Sequence, residues 1–206
     1  MLNKKTKKVI SFLASGRGSN FKAVAEKIIS GHIKAKTGIL ICDKPDAAAF
    51  EKAAKLGIES VYIDPKLFRT KADYEKEMMK FFVKYNTDFI VAAGFMRILS
   101  GEIIQHYKNR IINIHPSLLP AFQGKDAQGQ AIEYGVKITG CSTHFIDEGT
   151  DTGPIILQQA VHVQKKDTVH TLSEKILKEE HKLLIKSIKL LCDERIEVRG
   201  RNVLIH

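Results

Sequence analysis

The stretch "RIINIHP", Arg110 to Pro116, ends an apolar run on two polar side chains, Asn113 and His115, and then stops at a proline. Residues two apart on a strand point to the same side, so this amide and this imidazole face one cleft. Asparagine donates hydrogen bonds to a developing oxyanion, and histidine donates or carries charge. Pro116 ends the strand and leaves the pair at an edge rather than mid-core. A satisfied core histidine beside an asparagine turn would show the same residues.

A second group, "DEGTDTGP", sets Asp147, Glu148 and Asp151 among two glycines in a tight loop. If that loop folds over the strand ends, Asp147 or Asp151 reaches His115. A carboxylate there favours the charged imidazole and fixes its orientation. A plain surface turn fits the same composition. His115, His144 and an aspartate are conceivable metal ligands, but no ligand spacing supports that, and no metal is expected.

"SGRGSN", Ser15 to Asn20, joins the first strand to the first helix. Its glycines let the backbone bend, and the helix start offers free N–H groups, which together suit a phosphate. Phe21 replaces the third glycine of a dinucleotide fingerprint, and no Gly-Lys-Ser/Thr follows as in a Walker loop. A tight structural turn is an equal reading. "AGFMRILS" follows the fourth strand and puts apolar residues at the mouth of a cleft, which suits a flat aromatic ligand or ordinary packing. Glu180 shares the apolar stripe of Leu177 and Leu184 on the last helix. A carboxylate there needs a partner such as a substrate amine or hydroxyl, unless it snorkels at the stripe's edge.

The elements that position these groups follow from patterning. The runs "KVISFLAS", "KTGILICD", "ESVYID", "DFIVAAG" and "RIINIHP" alternate with helical patterns ending on glycine or asparagine. That order predicts βαβ units and a parallel sheet covered on both faces. After Pro120 come a short helix in "GKDAQGQAIEYG", an antiparallel pair "KITGCSTHFID" and "GPIILQQAVHV", a long helix from Thr168 to about Cys192, and a hairpin turning at Gly200. The expected fold class is α/β: one domain over 1–206, Rossmann-like, with a mostly parallel sheet, helices on both faces and an antiparallel C-terminal part. Segments 1–7 and 195–206 are expected to be peripheral.

Composition sets the class. The chain has 206 residues, 44% hydrophobic and 27% charged, as in an ordinary soluble domain. No apolar run reaches the length of a membrane span, and no cleavage site follows the basic N-terminus, so a cytoplasmic protein without a membrane partner is expected. Cys42, Cys141 and Cys192 are odd in number and far apart, which argues against disulfides or a zinc cluster. The net charge of +10 fits a lysine-rich surface or attraction of an anionic small molecule. Lysines scattered among glutamates, as in "SEKILKEEHKLLIK", read as helix surface rather than a nucleic-acid footprint.

"SGRGSN", "AGFMRILS", "NIHPSLLP" and "DEGTDTGPIILQ" occur in this order and spacing in phosphoribosylglycinamide formyltransferases, and the chain resembles that family over about residues 8 to 192. Methionyl-tRNA formyltransferase and formyltetrahydrofolate deformylase share the Asn-x-His pair and "SLLP". The Gly-Ser-Asn loop, and a length with no room for their extra domains, point to the glycinamide ribonucleotide branch. The resemblance implies formyl transfer from 10-formyltetrahydrofolate, as co-substrate, to the amine of glycinamide ribonucleotide in purine synthesis, with small-molecule partners only. It assigns Asn113, His115 and Asp151 to catalysis, and Gly18, Ser19, Asn20, Leu177 and Glu180 to the ribonucleotide. To the folate it assigns Lys71, Met96, Arg97, Ile98 and Leu99, the loop Asp147, Glu148, Gly149, Thr150 and Asp151, and also Asn113. The chain departs from the pattern at Lys71, where an arginine is frequent, and at Gln123, where a proline is common. A lysine makes a weaker, non-bidentate carboxylate contact.

Overall fold

A computed structural model describes residues 7–92 and 94–206. The expected segment 1–7 therefore lies outside the described residues except for Lys7, as does Ala93 of "AGFMRILS". Seven strands form one sheet in the order β3-β2-β1-β4-β5-β6-β7. They are β1 (Lys8–Ala14), β2 (Ala35–Cys42), β3 (Ser60–Tyr62), β4 (Phe89–Val91), β5 (Ile111–His115), β6 (Ile138–Phe145) and β7 (Ile155–His162). The first five run parallel, and β6 and β7 are antiparallel, so the expected mixture of a parallel body and an antiparallel C-terminal part is what the chain adopts.

The helices are α1 (Ser19–Ile29), α2 (Ala49–Lys55), α3 (Lys71–Lys84), α4 (Gly101–His106), α5 (Ala127–Tyr134) and α6 (Val169–Cys192). They cover both faces. Phe12, Leu40, Cys42 and Ile112 pack in one core with α1 and α6, whereas Leu13, Ile39, Ile41 and Ile111 pack in the other with α3 and α4. This alternation is the pleat at work: successive side chains on β1 and β2 leave on opposite faces, so strands apolar throughout serve both cores. Helix starts carry their signals. Thr70 and Thr168 each accept an N–H three residues on, from Asp73 and Thr171.

Connections from β1 run to β2 on one side, while β4 lies on the other, so the order reverses between β1 and β4. The carboxyl ends of strands at such a reversal form a crevice, the usual ligand position in open α/β sheets. The segments after β1 and β4 meet there: the Ser15 N–H donates to the Gly94 carbonyl (3.1 Å), and the Met96 N–H donates to the Ser15 hydroxyl (2.9 Å). The C-terminal hairpin, β8 (Ile196–Arg199) with β9 (Asn202–Ile205), is a separate small sheet that touches β7. At its turn Arg201 donates to the Thr152 carbonyl (2.9 Å), next to the loop that carries Asp151.

Candidate active site

On β5, Ile111 packs into the core of α3 and α4. Asn113 and His115 leave the strand on that same side, where beyond its carboxyl end a cleft of about 720 Å³ replaces core. Both line the cleft, as the alternation in "RIINIHP" predicts. The loop after β6 folds back over them. The Asp151 Oδ2 atom lies 3.2 Å from His115 Nδ1, and these side chains are 13% and 6% exposed. Asp151, not Asp147, reaches the imidazole; Asp147 instead accepts from Thr152 Oγ1 (2.6 Å) and the Gly149 N–H (3.2 Å), which shapes the turn.

The neighbours fix this pair tightly. His115 Nε2 lies 2.8 Å from the Phe122 carbonyl, and the Gly124 N–H donates to Asp151 Oδ2 at 2.9 Å. Both ring nitrogens of His115 thus face hydrogen-bond acceptors. Phe122 and Asp151 hold φ near +53° and +55°, a left-handed backbone that side chains seldom adopt, and both sit against His115. Strain of this kind collects at sites that the surrounding fold over-determines.

His144 sits opposite Asn113 in the β5–β6 ladder. Its Nδ1 donates to the Phe145 carbonyl (2.8 Å), so Nε2 accepts from Asn113 Nδ2 (3.3 Å) or, when protonated, donates to Asp151 Oδ1 (3.5 Å). Asn113 Nδ2 also lies 3.5 Å from Asp151 Oδ1. Burial pushes the Asp151 carboxyl up, but hydrogen bonds from His144 and the Gly124 N–H, with the charges of His115 and His144, outweigh it and hold the group below its ordinary value. Among the described residues no group of three or more His, Cys, Asp and Glu side chains is arranged to hold a metal ion. The thiols of Cys42, Cys141 and Cys192 are pushed up to about 12, chiefly by burial, which leaves them un-ionised and inert.

One end of the cleft is the "SGRGSN" turn. Gly18 is left-handed (φ +62°), and a Cβ there would stand 2.6 Å from that of Ala49, so only glycine lets the turn pack on α2. Gly18 caps α1 with no side-chain hydrogen bond, and Arg17, Gly18, Ser19 and Asn20 all line the cleft. The first N–H groups of α1 therefore face it as donors. Asn20 Nδ2 donates to Glu180 Oε2 (2.9 Å), and Asn20 Oδ1 is buried without a partner. Glu180, on α6 beside Leu177, is 7% exposed. Burial raises its pKa, opposed by the Asn20 hydrogen bond and the Arg17 charge.

The other end is the segment after β4. Met96 and Ile98 are 68% and 61% exposed, while Leu99 is buried, and all three line the cleft with Arg97. Gly149 and Thr150 face them across it. Two residues assigned by resemblance stand off its walls. Lys71 begins α3 and is turned toward Glu75 (3.9 Å), and the exposed Glu148 lies against Gly101. Sequence reasoning did not single out Arg17, Lys44, Lys125 or Gln128 as site residues, and it raised His144 only as a conceivable metal ligand; all five line the cleft. The first and third stand inside or beside quoted motifs. His144 needed the strand register, and the Phe122 carbonyl and Gly124 N–H are backbone groups without a sequence signal.

An imidazole, a carboxylate and an amide converge at the centre, with the glycine-capped start of α1 at one end and an apolar wall at the other. Residues 7–188 match the family profile described as Formyl transferase. The phosphoribosylglycinamide formyltransferase of Bacillus subtilis is 42% identical over 89% of this chain and 94% of its own length. A human protein named trifunctional purine biosynthetic protein adenosine-3 is 38% identical over 96% of this chain, which corresponds to 20% of that protein. The crystal structure of glycinamide ribonucleotide transformylase 1 from Symbiobacterium toebii superposes with a TM-score of 0.95 at 39% identity, covering 97% of this chain and 94% of that one. The chain belongs to the formyl transferase family and, within it, to the phosphoribosylglycinamide formyltransferases.

Proposed function

We infer that the chain transfers the formyl group of 10-formyltetrahydrofolate to the amine of glycinamide ribonucleotide, with Asn113, His115 and Asp151 at the reacting centre. The observation that carries this is the Asp151–His115 contact of 3.2 Å, set between the α1 N-terminus and the Met96–Leu99 wall in one cleft. The two ends suit two different substrates. A ribose 5-phosphate fits the uncapped helix start, and a pterin fits the apolar wall.

The neutral amine attacks the formyl carbon and an oxyanion forms. The Asn113 amide contacts are long, at 3.3 and 3.5 Å, so an oxyanion at ordinary hydrogen-bond distance takes an N–H from them. His115 Nε2–H is shared with a neutral carbonyl, and a developing anion is the stronger acceptor. Asp151 holds the ring in orientation through Oδ2. Its Oδ1, with only 3.5 Å neighbours, has lone pairs left to hold the water that takes the proton from the attacking amine and returns it to the leaving folate nitrogen. Glu180 and the free Asn20 Oδ1 accept from the ribonucleotide's hydroxyl or amine groups.

The test is an assay with both substrates that follows the deformylated folate and identifies the second product. Formylated ribonucleotide in amounts equal to tetrahydrofolate supports the reading. Free formate instead, or no turnover, overturns it.

A further inference from the structure

A further buried carboxylate stands behind the wall of the cleft. Asp43 follows β2 directly, and its side chain is 5% exposed. Its Oδ2 accepts from Arg97 Nε at 2.9 Å, and its Oδ1 is buried with no partner. The Arg97 guanidinium carbon lies 5.7 Å from the ring centroid of Tyr74, which is 3% exposed. Arg97 itself is 45% exposed and lines the cleft. The guanidinium is thus held along its Nε edge by a carboxylate and over an aromatic face, and its Nη groups remain for the cleft.

A buried carboxylate is costly unless it is paired, and an ion pair at a surface returns little stability. Asp43 therefore makes poor sense as a mere staple. It makes sense as a mount, because a guanidinium fixed at one edge presents its remaining donors as a rigid fork matched to a carboxylate. Lys71, the other cation that the resemblance places near the folate tail, is turned toward Glu75.

We propose that Asp43 is a positioning residue which holds Arg97 as a preformed receptor for a carboxylate of the folate co-substrate. This rests on reading the Met96–Leu99 segment as the folate wall. Fixing the arginine before binding removes the entropy that a free side chain would lose, an effect of about tenfold in affinity.

The experiment uses calorimetry with folic acid, which carries the glutamate carboxylates, and pteroic acid, which lacks them, together with the KM for each substrate. In Asp43→Asn, folic acid binding weakens about tenfold, pteroic acid binding changes less than twofold, and the KM for 10-formyltetrahydrofolate rises more than that for the ribonucleotide. In the Arg97→Ala background the same substitution adds nothing. Arg97→Lys leaves Asp43 a charged partner and still loses the discrimination, which keeps the point testable if Asp43→Asn does not fold. Equal losses for the two folate probes, additive losses in the double variant, or full discrimination retained in Asp43→Asn overturn the inference alone. A parent protein that binds neither probe overturns the folate reading, and this inference with it.

Discussion

At the residue scale the centre is an imidazole clamped between a carboxylate and a carbonyl, and its weakest point is charge. Asp151→Asn keeps the size and the Gly124 contact but removes the anion that faces His115 Nδ1. Turnover is expected to fall about a hundredfold or more, the scale of losing one charged oxyanion donor, with little change in either substrate's affinity. Near-normal turnover would make Asp151 a loop residue only. Asp151 also has a stability signature. Its carboxyl is held below the ordinary value of 3.8, so its contribution is complete above that pH and is lost as pH falls through the lower folded value. Urea midpoints of the parent should drop in that acid window more than those of Asp151→Asn. Glu180 has the opposite sign, since burial raises its pKa and its ionised form therefore costs stability above the ordinary 4.5. Glu180→Gln should melt higher than the parent at neutral pH while the KM for the ribonucleotide rises. A lower melting temperature would mean that the carboxylate is stabilising, and that its burial is more than a concession to binding.

At the element scale, the turn from β1 to α1 is the piece most sensitive to a single methyl group. Gly18→Ala puts a Cβ 2.6 Å from that of Ala49 and asks alanine for a φ of +62°. The expected cost is about 1–3 kcal/mol of stability, with ribonucleotide affinity lost ahead of folate affinity because the α1 N–H groups move. Melting curves and calorimetry with each ligand check this; equal losses for both would reject the phosphate assignment. Elements were largely legible in the sequence. "RIINIHP" is β5 with its polar pair on the cleft side, the helix expected from Thr168 to about Cys192 is α6, Val169–Cys192, and the hairpin turns at Gly200. These rest on local periodicity and local hydrogen bonds, which a sequence displays. What pairs across the fold was not legible. His144 meets Asn113 through a strand register, Arg97 meets Asp43 across 54 positions, and Phe122 and Gly124 act through backbone atoms. From the 195–206 segment, expected at the periphery, Arg201 reaches the carbonyl of Thr152.

At the scale of the whole molecule, the net charge of +10 is spread unevenly in its effect. Many exposed lysines are matched on their own helices, as in Lys22–Glu26, Lys55–Glu51, Lys80–Glu77 and Lys182–Glu179. Arg17, Lys44 and Lys125 instead line the cleft, where a low-dielectric concavity focuses their field on anions. Both proposed substrates are anions. Screening should therefore act on their capture: the Debye length shrinks from about 10 Å at 0.1 M salt to about 3 Å at 1 M. The ratio kcat/KM for the ribonucleotide is expected to fall severalfold as potassium chloride rises over that range, through KM and not through kcat, because the reacting groups are buried together and screened less. Arg17→Ala should flatten this salt dependence as well as raise KM. Lys55→Gln, which removes an exposed cation already matched by Glu51 and outside the lining of the cleft, should leave the slope as it is. A slope equal in all three proteins would mean that the whole surface, and not the cleft, draws the substrate in. A salt effect confined to kcat would place it on the chemistry instead.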